Sequence, residues 1–348
     1  MSKDVKGKRP RINQKIRRVF HGPLSAWYRS QARDLPWRRT QDPYSITVSE
    51  LMLQQTQVVT VIPYYHRWLK QFPTWEALAK ASENDTLKAW EGLGYYSRVR
   101  NLKKLAHQVI ERGGNLPEDP GELTKLSGIG PYTAGALASL AFGKKAALVD
   151  GNVMRVFARV FNWSEAITDR STQQAMWEVA RNLLPEGKHC AVHNSALMEL
   201  GAMVCTPNKP LCSSCPLQTI CQAIDPEKLP VKSRTLTEKK NERVALISKN
   251  GRWWLEPGPT QGRLAGFWRF PEFDRKKMKL GDLAAEFTYG ITRFRVRLRA
   301  HLARWKSPAV NNGKWYSTEE MERIPLSAAH GRLRKLILTQ QPVSPQIS

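Results

Sequence analysis

Leu126-Ser127-Gly128-Ile129-Gly130-Pro131 restricts the fold of this chain more than any other short stretch, because it sets two glycines two residues apart between apolar helical segments. Glycine lets a chain turn tightly and lets bare backbone N–H groups come close to an anion. Pro131 suits the first position of a following helix, where its missing N–H costs nothing, and Thr133, Ala134, Ala136, Leu137 and Leu140 give that helix a buried face. The pattern predicts a helix-hairpin-helix with a phosphate-binding turn at Gly128 and Gly130. Further on, the apolar run Ala146 to Val149 delivers Asp150 into Gly151-Asn152. Asp before a helix is a common N-cap. A carboxylate at the end of a buried run is also placed for chemistry.

The 348 residues leave room for two domains. Lys and Arg number 55 against 30 Asp and Glu, a formal charge of +25, which draws polyanions. Nucleic acid is the first expectation, since neutralising phosphates needs this excess, with an anionic membrane surface as competitor. No apolar run reaches spanning length, and the basic stretch Lys3 to Arg18 has no apolar region behind it. Residues 1–18 therefore read as a basic disordered tail on a cytoplasmic, nucleoid-associated protein. Of five cysteines, Cys205, Cys212, Cys215 and Cys221 cluster at intervals of six, two and five residues, with Pro207, Pro210 and Pro216 stiffening the loops. That is no secreted disulfide framework, and it fits a reducing compartment. Four such thiolates call for a metal, and zinc and a [4Fe-4S] cluster both accept them. Cys190 reads as a small buried side chain.

In chain order, a helix is expected from Val19 to Arg29, followed by a turn, Asp34 to Arg39, that sets Trp37 beside Arg38. This pair either grips a base or plugs a core. From Val48 to Val58 the pattern is helical, with Val48, Leu51, Met52 and Val58 on one face and Glu50 close to it. Glu50 is either solvated or a buried carboxyl whose raised pKa suits a general acid. Gln54, Gln55 and Thr56 suit contact with bases. Short helices fill Pro63 to Arg112, interrupted by Gly92-Leu93-Gly94-Tyr95-Tyr96-Ser97-Arg98, which reads as an exposed wedge for a base stack or as a close-packed loop. Helices over Val153 to Phe161, Ser171 to Leu184 and His193 to Ala202 lead to the cysteines. Residues 226–243 read as a polar linker. Strands over Val244 to Ser248, Trp253 to Glu256, Trp268 to Phe270 and Thr292 to Trp305 predict an α+β domain at 244–340, ahead of a tail at 341–348. In the last strand Arg293, Arg295, Arg297, Arg299 and His301 alternate with apolar residues, giving a cationic face that solubilises or meets phosphates.

The motifs LPWR (35–38), VSELMLQQTQV (48–58), EGLGYYSRVRNL (91–102), GIGPYTAGA (128–136) and VDGNVMRV (149–156), with the cysteine intervals, resemble a known family. It is the helix-hairpin-helix DNA glycosylases with an iron–sulfur cluster, and within them the MutY-type adenine glycosylases. The resemblance spans residues 20 to 225 closely and 244 to 340 loosely. It implies a multidomain chain: an all-α helix-hairpin-helix glycosylase domain at 19–225, with its cluster loop at 190–225, and a C-terminal α+β Nudix-like domain. It implies a [4Fe-4S] cluster, in preference to zinc, on Cys205, Cys212, Cys215 and Cys221. Glu50 would protonate a flipped adenine at N7 and Asp150 would stabilise or trap the oxocarbenium-like sugar, supported by Tyr132 and Asn152. Tyr132 stands where bifunctional members carry a Schiff-base lysine, so base excision without efficient strand cleavage is implied. Trp37, Arg38 and Ser195 would line the base pocket. Gln55, Thr56, Leu93 and Tyr95 would probe the stack around the opposing base, and Gly128, Gly130, Thr292 and Arg293 would also contact DNA.

The implied function is monofunctional excision of adenine opposite 8-oxoguanine or G in double-stranded DNA, by a monomer. Rival expectations are a mismatch thymine or uracil glycosylase, an oxidised-pyrimidine glycosylase with lyase activity, and a damage-binding protein without turnover. Two departures bear on selectivity. Ile291-Thr292-Arg293 stands where the family usually carries Phe-Ser-His, and Ser195 where it often carries Gln or Glu. GRLAGFWRFPEF (262–273) matches the Nudix-like domain, the stretch between Phe273 and Phe287 is short, and no Nudix catalytic box is present, so pyrophosphate hydrolysis is not expected.

Overall fold

The computed structural model describes residues 10, 12–187, 189–231, 237–259, 265–291, 293–306 and 312–339. Helices come first: α1 Gln14–His21, α2 Pro23–Gln31, α3 Pro43–Leu53, α4 Val58–Gln71, α5 Trp75–Lys80, α6 Glu83–Ala89, α7 Ser97–Glu111, α8 Pro120–Leu123, α9 Pro131–Leu140, α10 Gly151–Val160, α11 Arg170–Leu183 and α12 His189–Met203. Strands follow: β1 Glu238–Leu246, β2 Ser248–Lys249, β3 Arg252–Pro257, β4 Trp268–Arg269, β5 Met278–Ile291, β6 Phe294–Trp305 and β7 Lys314–Tyr316, ahead of α13 Thr318–Arg323 and α14 Ala328–Thr339. Among the described residues no helix is long and apolar enough to cross a membrane.

Two compact units form. The first takes the described residues of Met1–Tyr65, Thr74–Glu76 and Lys104–Arg234. Its core joins Phe20 and Leu24 to Val153, Val156 and Phe157 of α10 and to Leu197 and Leu200 of α12. α12 packs on α2, α9 and α10, and α3 packs on α9. α3 starts where Asp42 accepts the N–H groups of Tyr44 (3.3 Å) and Ser45 (2.9 Å) and Pro43 takes the first helical position. From Ile46 to Met52 every side chain of α3 is buried, and the hydroxyls of Thr47 and Ser49 return to the carbonyls of Pro43 (2.6 Å) and Ile46 (2.8 Å).

Three expected boundaries shift. The helix expected from Val19 breaks at Gly22, whose N–H closes α1 on the Arg18 carbonyl (2.9 Å), and Pro23 opens α2. The stretch expected as tail is helical from Gln14, because the Asn13 side chain accepts the Ile16 N–H (2.9 Å) and caps α1. α3 stops at Leu53 instead of reaching Val58, since Gln55 turns into the left-handed region (φ 57°).

The second unit takes His66–Pro73, Ala77–Lys103 and the described residues of Thr235–Ser348. One sheet has the order β1-β6-β5, with β1 parallel to β6 from Glu238↔Phe294 to Leu246↔Leu302 and β5 antiparallel to β6. β3 pairs with β2, β4 and β7 in a second sheet. Val244, Leu246, Phe270, Leu298 and Leu333 share a core. Phe267 is buried with its ring 4.2 Å from Tyr96, and Arg334 pairs with Glu91 at 3.4 Å. The segment 77–103 is thus built into the same unit as the strands, although the sequence reads as successive separate domains. β1 begins at Glu238, inside the stretch expected as linker, and β5 was not expected at all.

Candidate active site

A cavity of about 1540 Å³ in the first unit opens between α3, α9, the start of α10 and α12. Glu50 on α3 lies on its wall, 5% exposed. The Tyr132 hydroxyl, in the first turn of α9, donates to Glu50 Oε2 at 2.7 Å and lies 3.3 Å from Met198 Sδ. Burial pushes the Glu50 carboxyl from 4.5 up to about 7; the Tyr132 hydrogen bond opposes, Asp150 reinforces and the Arg38 cation opposes. The carboxyl therefore exchanges a proton near neutrality. Burial and the two carboxylates hold the Tyr132 phenol well above its ordinary range, so it stays a neutral donor.

Asp150 is the N-cap of α10, and it also lines the cavity. Its Oδ1 accepts the Val153 N–H (2.7 Å) and its Oδ2 accepts from Asn152 Nδ2 (3.1 Å). Burial raises its pKa against those bonds and the Arg155 charge. Asn152 Oδ1 in turn accepts from Arg155 Nη2 (2.8 Å), which also donates to the Gly201 carbonyl (2.6 Å), while Arg155 Nε donates to the Cys205 carbonyl (2.7 Å). A Cβ on Gly201 would stand 2.7 Å from that of Asn152, so this glycine lets α12 approach the start of α10.

Across the cavity, Trp37 is buried edge-on to Tyr65 with ring centroids 5.5 Å apart, and Arg38 lies over the Tyr28 ring at 5.4 Å. Glu199 accepts from both Arg33 and Arg38. Burial would raise its carboxyl, but the hydrogen bonds from Arg33 and Arg38 outweigh it and hold the group at about 2. Ser195 is buried and lines the cavity, as do Gln55, Thr56, Gly128 and Gly130. Of the two hairpin glycines only Gly128 needs a left-handed backbone (φ 78°); Gly130 is extended (φ −87°) and caps α9, with open space where a Cβ would be.

The structure thus brings Trp37, Arg38, Glu50, Gln55, Thr56, Gly128, Gly130, Tyr132, Asp150, Asn152 and Ser195 to one cavity. Arg33, Glu199 and Gly201 went unread in the sequence. Ser195 and Glu199 are one helical turn apart, and that spacing could have signalled a shared face.

In the second unit, of the two readings left open for this loop, Leu93 at 5% exposure and buried Tyr96 follow the close-packed one, while Tyr95 is 46% exposed. Arg98 Nη2 donates to the carbonyls of Leu93 (3.0 Å) and Gly94 (3.1 Å), and Trp90 Nε1 to that of Gly94 (3.1 Å), which curls the loop inward and leaves Tyr95 at φ 46°. Ile291 pairs with Phe294 to close the β5–β6 hairpin. Arg293 is exposed and pairs with Glu238 at 3.0 Å; Thr292 lies outside the described residues.

Cys205, Cys212, Cys215 and Cys221 are all free thiols, half-buried or exposed. Arg159 Nη1 donates to Cys205 Sγ at 3.4 Å, Cys221 Sγ donates to the Arg159 carbonyl at 3.6 Å, and the Cys215 N–H meets the Cys212 carbonyl at 3.2 Å. Among the described residues no three His, Cys, Asp or Glu side chains converge on one ion position.

Two family models match the chain: HhH-GPD superfamily base excision DNA repair protein over residues 48–182, and NUDIX domain over 243–336. An adenine DNA glycosylase of Homo sapiens is 45% identical over 215 residues, 59% of this chain and 39% of that protein. This chain matches about two fifths of the length of its mammalian relatives. An adenine DNA glycosylase of Buchnera aphidicola subsp. Acyrthosiphon pisum is 34% identical over 270 residues, 75% of this chain and 76% of that protein. The solved structure of a thermostable thymine-DNA glycosylase superposes with a TM-score of 0.54 at 34% identity, covering 60% of this chain and 96% of that one.

Proposed function

The chain belongs to the HhH-GPD superfamily of base excision DNA repair proteins, and within it to the MutY type, and from that premise we propose that it hydrolyses the N-glycosidic bond of adenine mispaired with 8-oxoguanine or G in double-stranded DNA. The observation that carries this is Glu50: a buried carboxyl that holds its proton to about 7, bonded to a phenol and sharing a cavity with Asp150. Protonated Glu50 donates to the everted base, at N7 for adenine, and the bond electrons leave with the base. Asp150, oriented by Val153 and Asn152, faces the positive charge that develops on the sugar, and water completes the hydrolysis. Tyr132 supplies a neutral phenol where a lyase needs an amine, which supports excision without strand cleavage.

Four unpaired thiols, one of them facing the Arg159 guanidinium, fit a [4Fe-4S] cluster, which takes one thiolate per iron and does not need them to meet at a point. Such a cluster would brace the loop that Arg155 ties to Asn152, and it belongs to a reducing compartment. Tyr95 and the exposed arginines of β6 are suited to contact DNA, the latter through phosphates.

A strand-labelled duplex panel tests the reading: alkali-revealed breaks at A opposite 8-oxoguanine or G are expected. Intact A strands would sink it, and breaks without alkali would replace it with a lyase. Ser195, a short side chain in the base pocket, and the 34%-identical thymine-DNA glycosylase favour T·G as a second substrate to include. Excision of T instead of A would make that reading the correct one.

A further inference from the structure

The reaction leaves Glu199 without a role. It is buried at 1% exposure on α12 and accepts four hydrogen bonds. Its Oε1 takes the Arg33 N–H (2.9 Å) and Nε (2.8 Å), and its Oε2 takes Arg33 Nη2 (2.7 Å) and Arg38 Nη2 (2.8 Å). Arg38 Nη1 also donates to the Arg33 carbonyl at 3.0 Å. Two guanidinium groups and one carboxylate make a wall with a net charge of +1 on the cavity that Glu50 also lines. An ion triad with a buried carboxylate and two half-buried cations contributes little net stability compared with apolar packing, and its strength lies in fixed geometry. Holding two long cationic side chains still, in the cavity of an acid that must keep its proton, is a use for that geometry.

We propose that Glu199 is a positioning residue for base excision: it clamps Arg33 and Arg38 to the cavity wall in a rigid triad of net charge +1 and keeps the Arg38 guanidinium from closing on Glu50. The proposal rests on the reading of Glu50 as the acid. The groups acting on Glu50 are Tyr132 from α9, Asp150 from the start of α10 and Arg38 from the turn before α3, while α12 brings the uncharged Met198 to Tyr132. Without Glu199, the carboxylates left in the cavity lining are Glu50, Asp150 and Glu227. The Arg38 charge already acts on Glu50, so a released Arg38 turns towards that carboxyl.

The test follows the Glu50 carboxyl directly, by 13C NMR of Glu-labelled full-length protein, with the resonance assigned by its loss in Glu50→Gln. Glu199→Gln is expected to lower the Glu50 midpoint by about one unit, the order that an added nearby cation produces. The alkaline limb of single-turnover excision should move with it, costing about tenfold in rate at pH 8 and about twofold at pH 6. Adding Arg38→Gln should return the midpoint to the wild-type value or above. Should Glu199→Gln not fold, Glu199→Asp keeps the charge and shortens the reach; a clamp lowers the Glu50 midpoint here too, whereas a role in charge balance alone leaves it in place. An unmoved midpoint in these variants overturns the proposal. A shifted midpoint in a protein that excises no base refutes the glycosylase reading and leaves the clamp standing.

Discussion

Glu50→Gln should make the protein inactive and, at alkaline pH, more stable. The side chain is buried and its carboxyl keeps a proton to about 7 when folded, against 4.5 when free. Below pH 4.5 both states hold that proton and the group makes no difference. From 4.5 to about 7 the unfolded chain has released the proton and the folded chain has not, so stability falls as pH rises, and above about 7 the loss is complete. The gap, about 7 less 4.5, at about 1.4 kcal/mol per unit amounts to about 3 kcal/mol at pH 8 and about 1 kcal/mol at pH 5. Gln has the same size, its carbonyl still accepts the Tyr132 hydroxyl, and it never ionises. Urea unfolding of the full chain, followed by tryptophan fluorescence at the two pH values, should therefore show the variant ahead by about 3 kcal/mol at pH 8 and about 1 kcal/mol at pH 5. Equal stability at pH 8, or the same advantage at both pH values, would refute the buried-acid argument.

Asp150→Asn should fold normally, because Asn caps a helix as well as Asp, yet lose excision by on the order of 10³ or more in single-turnover assays. Gly201→Ala should cost about 1–3 kcal/mol in urea unfolding and slow excision as well, since its methyl has to displace Asn152. Replacing exposed Arg295 with Ala should weaken binding to undamaged duplex and reduce the slope of log affinity against log salt by about 1, measured by fluorescence anisotropy from 50 to 200 mM salt. Purified protein should be brown and contain about four irons per chain, and substituting Cys212 with Ser should bleach it; a colourless protein with stoichiometric zinc would overturn the cluster.

The all-α character of the first unit was legible because its helices announce themselves by periodicity and by caps such as Asp42-Pro43 and Asp150. Glu50 was legible as a candidate from its place beside an apolar face; its burial was not, because that depends on α9 packing against α3. β5 escaped notice because Gly281, Asp282, Ala284, Ala285 and Gly290 are poor strand residues, and irregular pairing between Leu280 and Ala285 breaks the alternation that would reveal it. The choice between wedge and close-packed loop at Leu93 stayed open for want of any sequence signal that Arg98 and Trp90 would bend its loop inward. The Arg33–Glu199–Arg38 triad joins positions more than 160 residues apart, which no local pattern encodes.

The second unit has a consequence for anyone who would divide this chain. Phe267 meets Tyr96, Arg100 donates to the Ala265 carbonyl and Arg334 reaches Glu91, so a helical segment from the first third of the polypeptide completes a body otherwise made from its last third. A fragment ending near residue 234 would lose those partners and bare the apolar surface around Leu87 and Tyr96. A protease cut at the same place, made after folding, would leave two pieces that copurify. Covalent order and architectural order are different partitions of this molecule, and expression trials should follow the second.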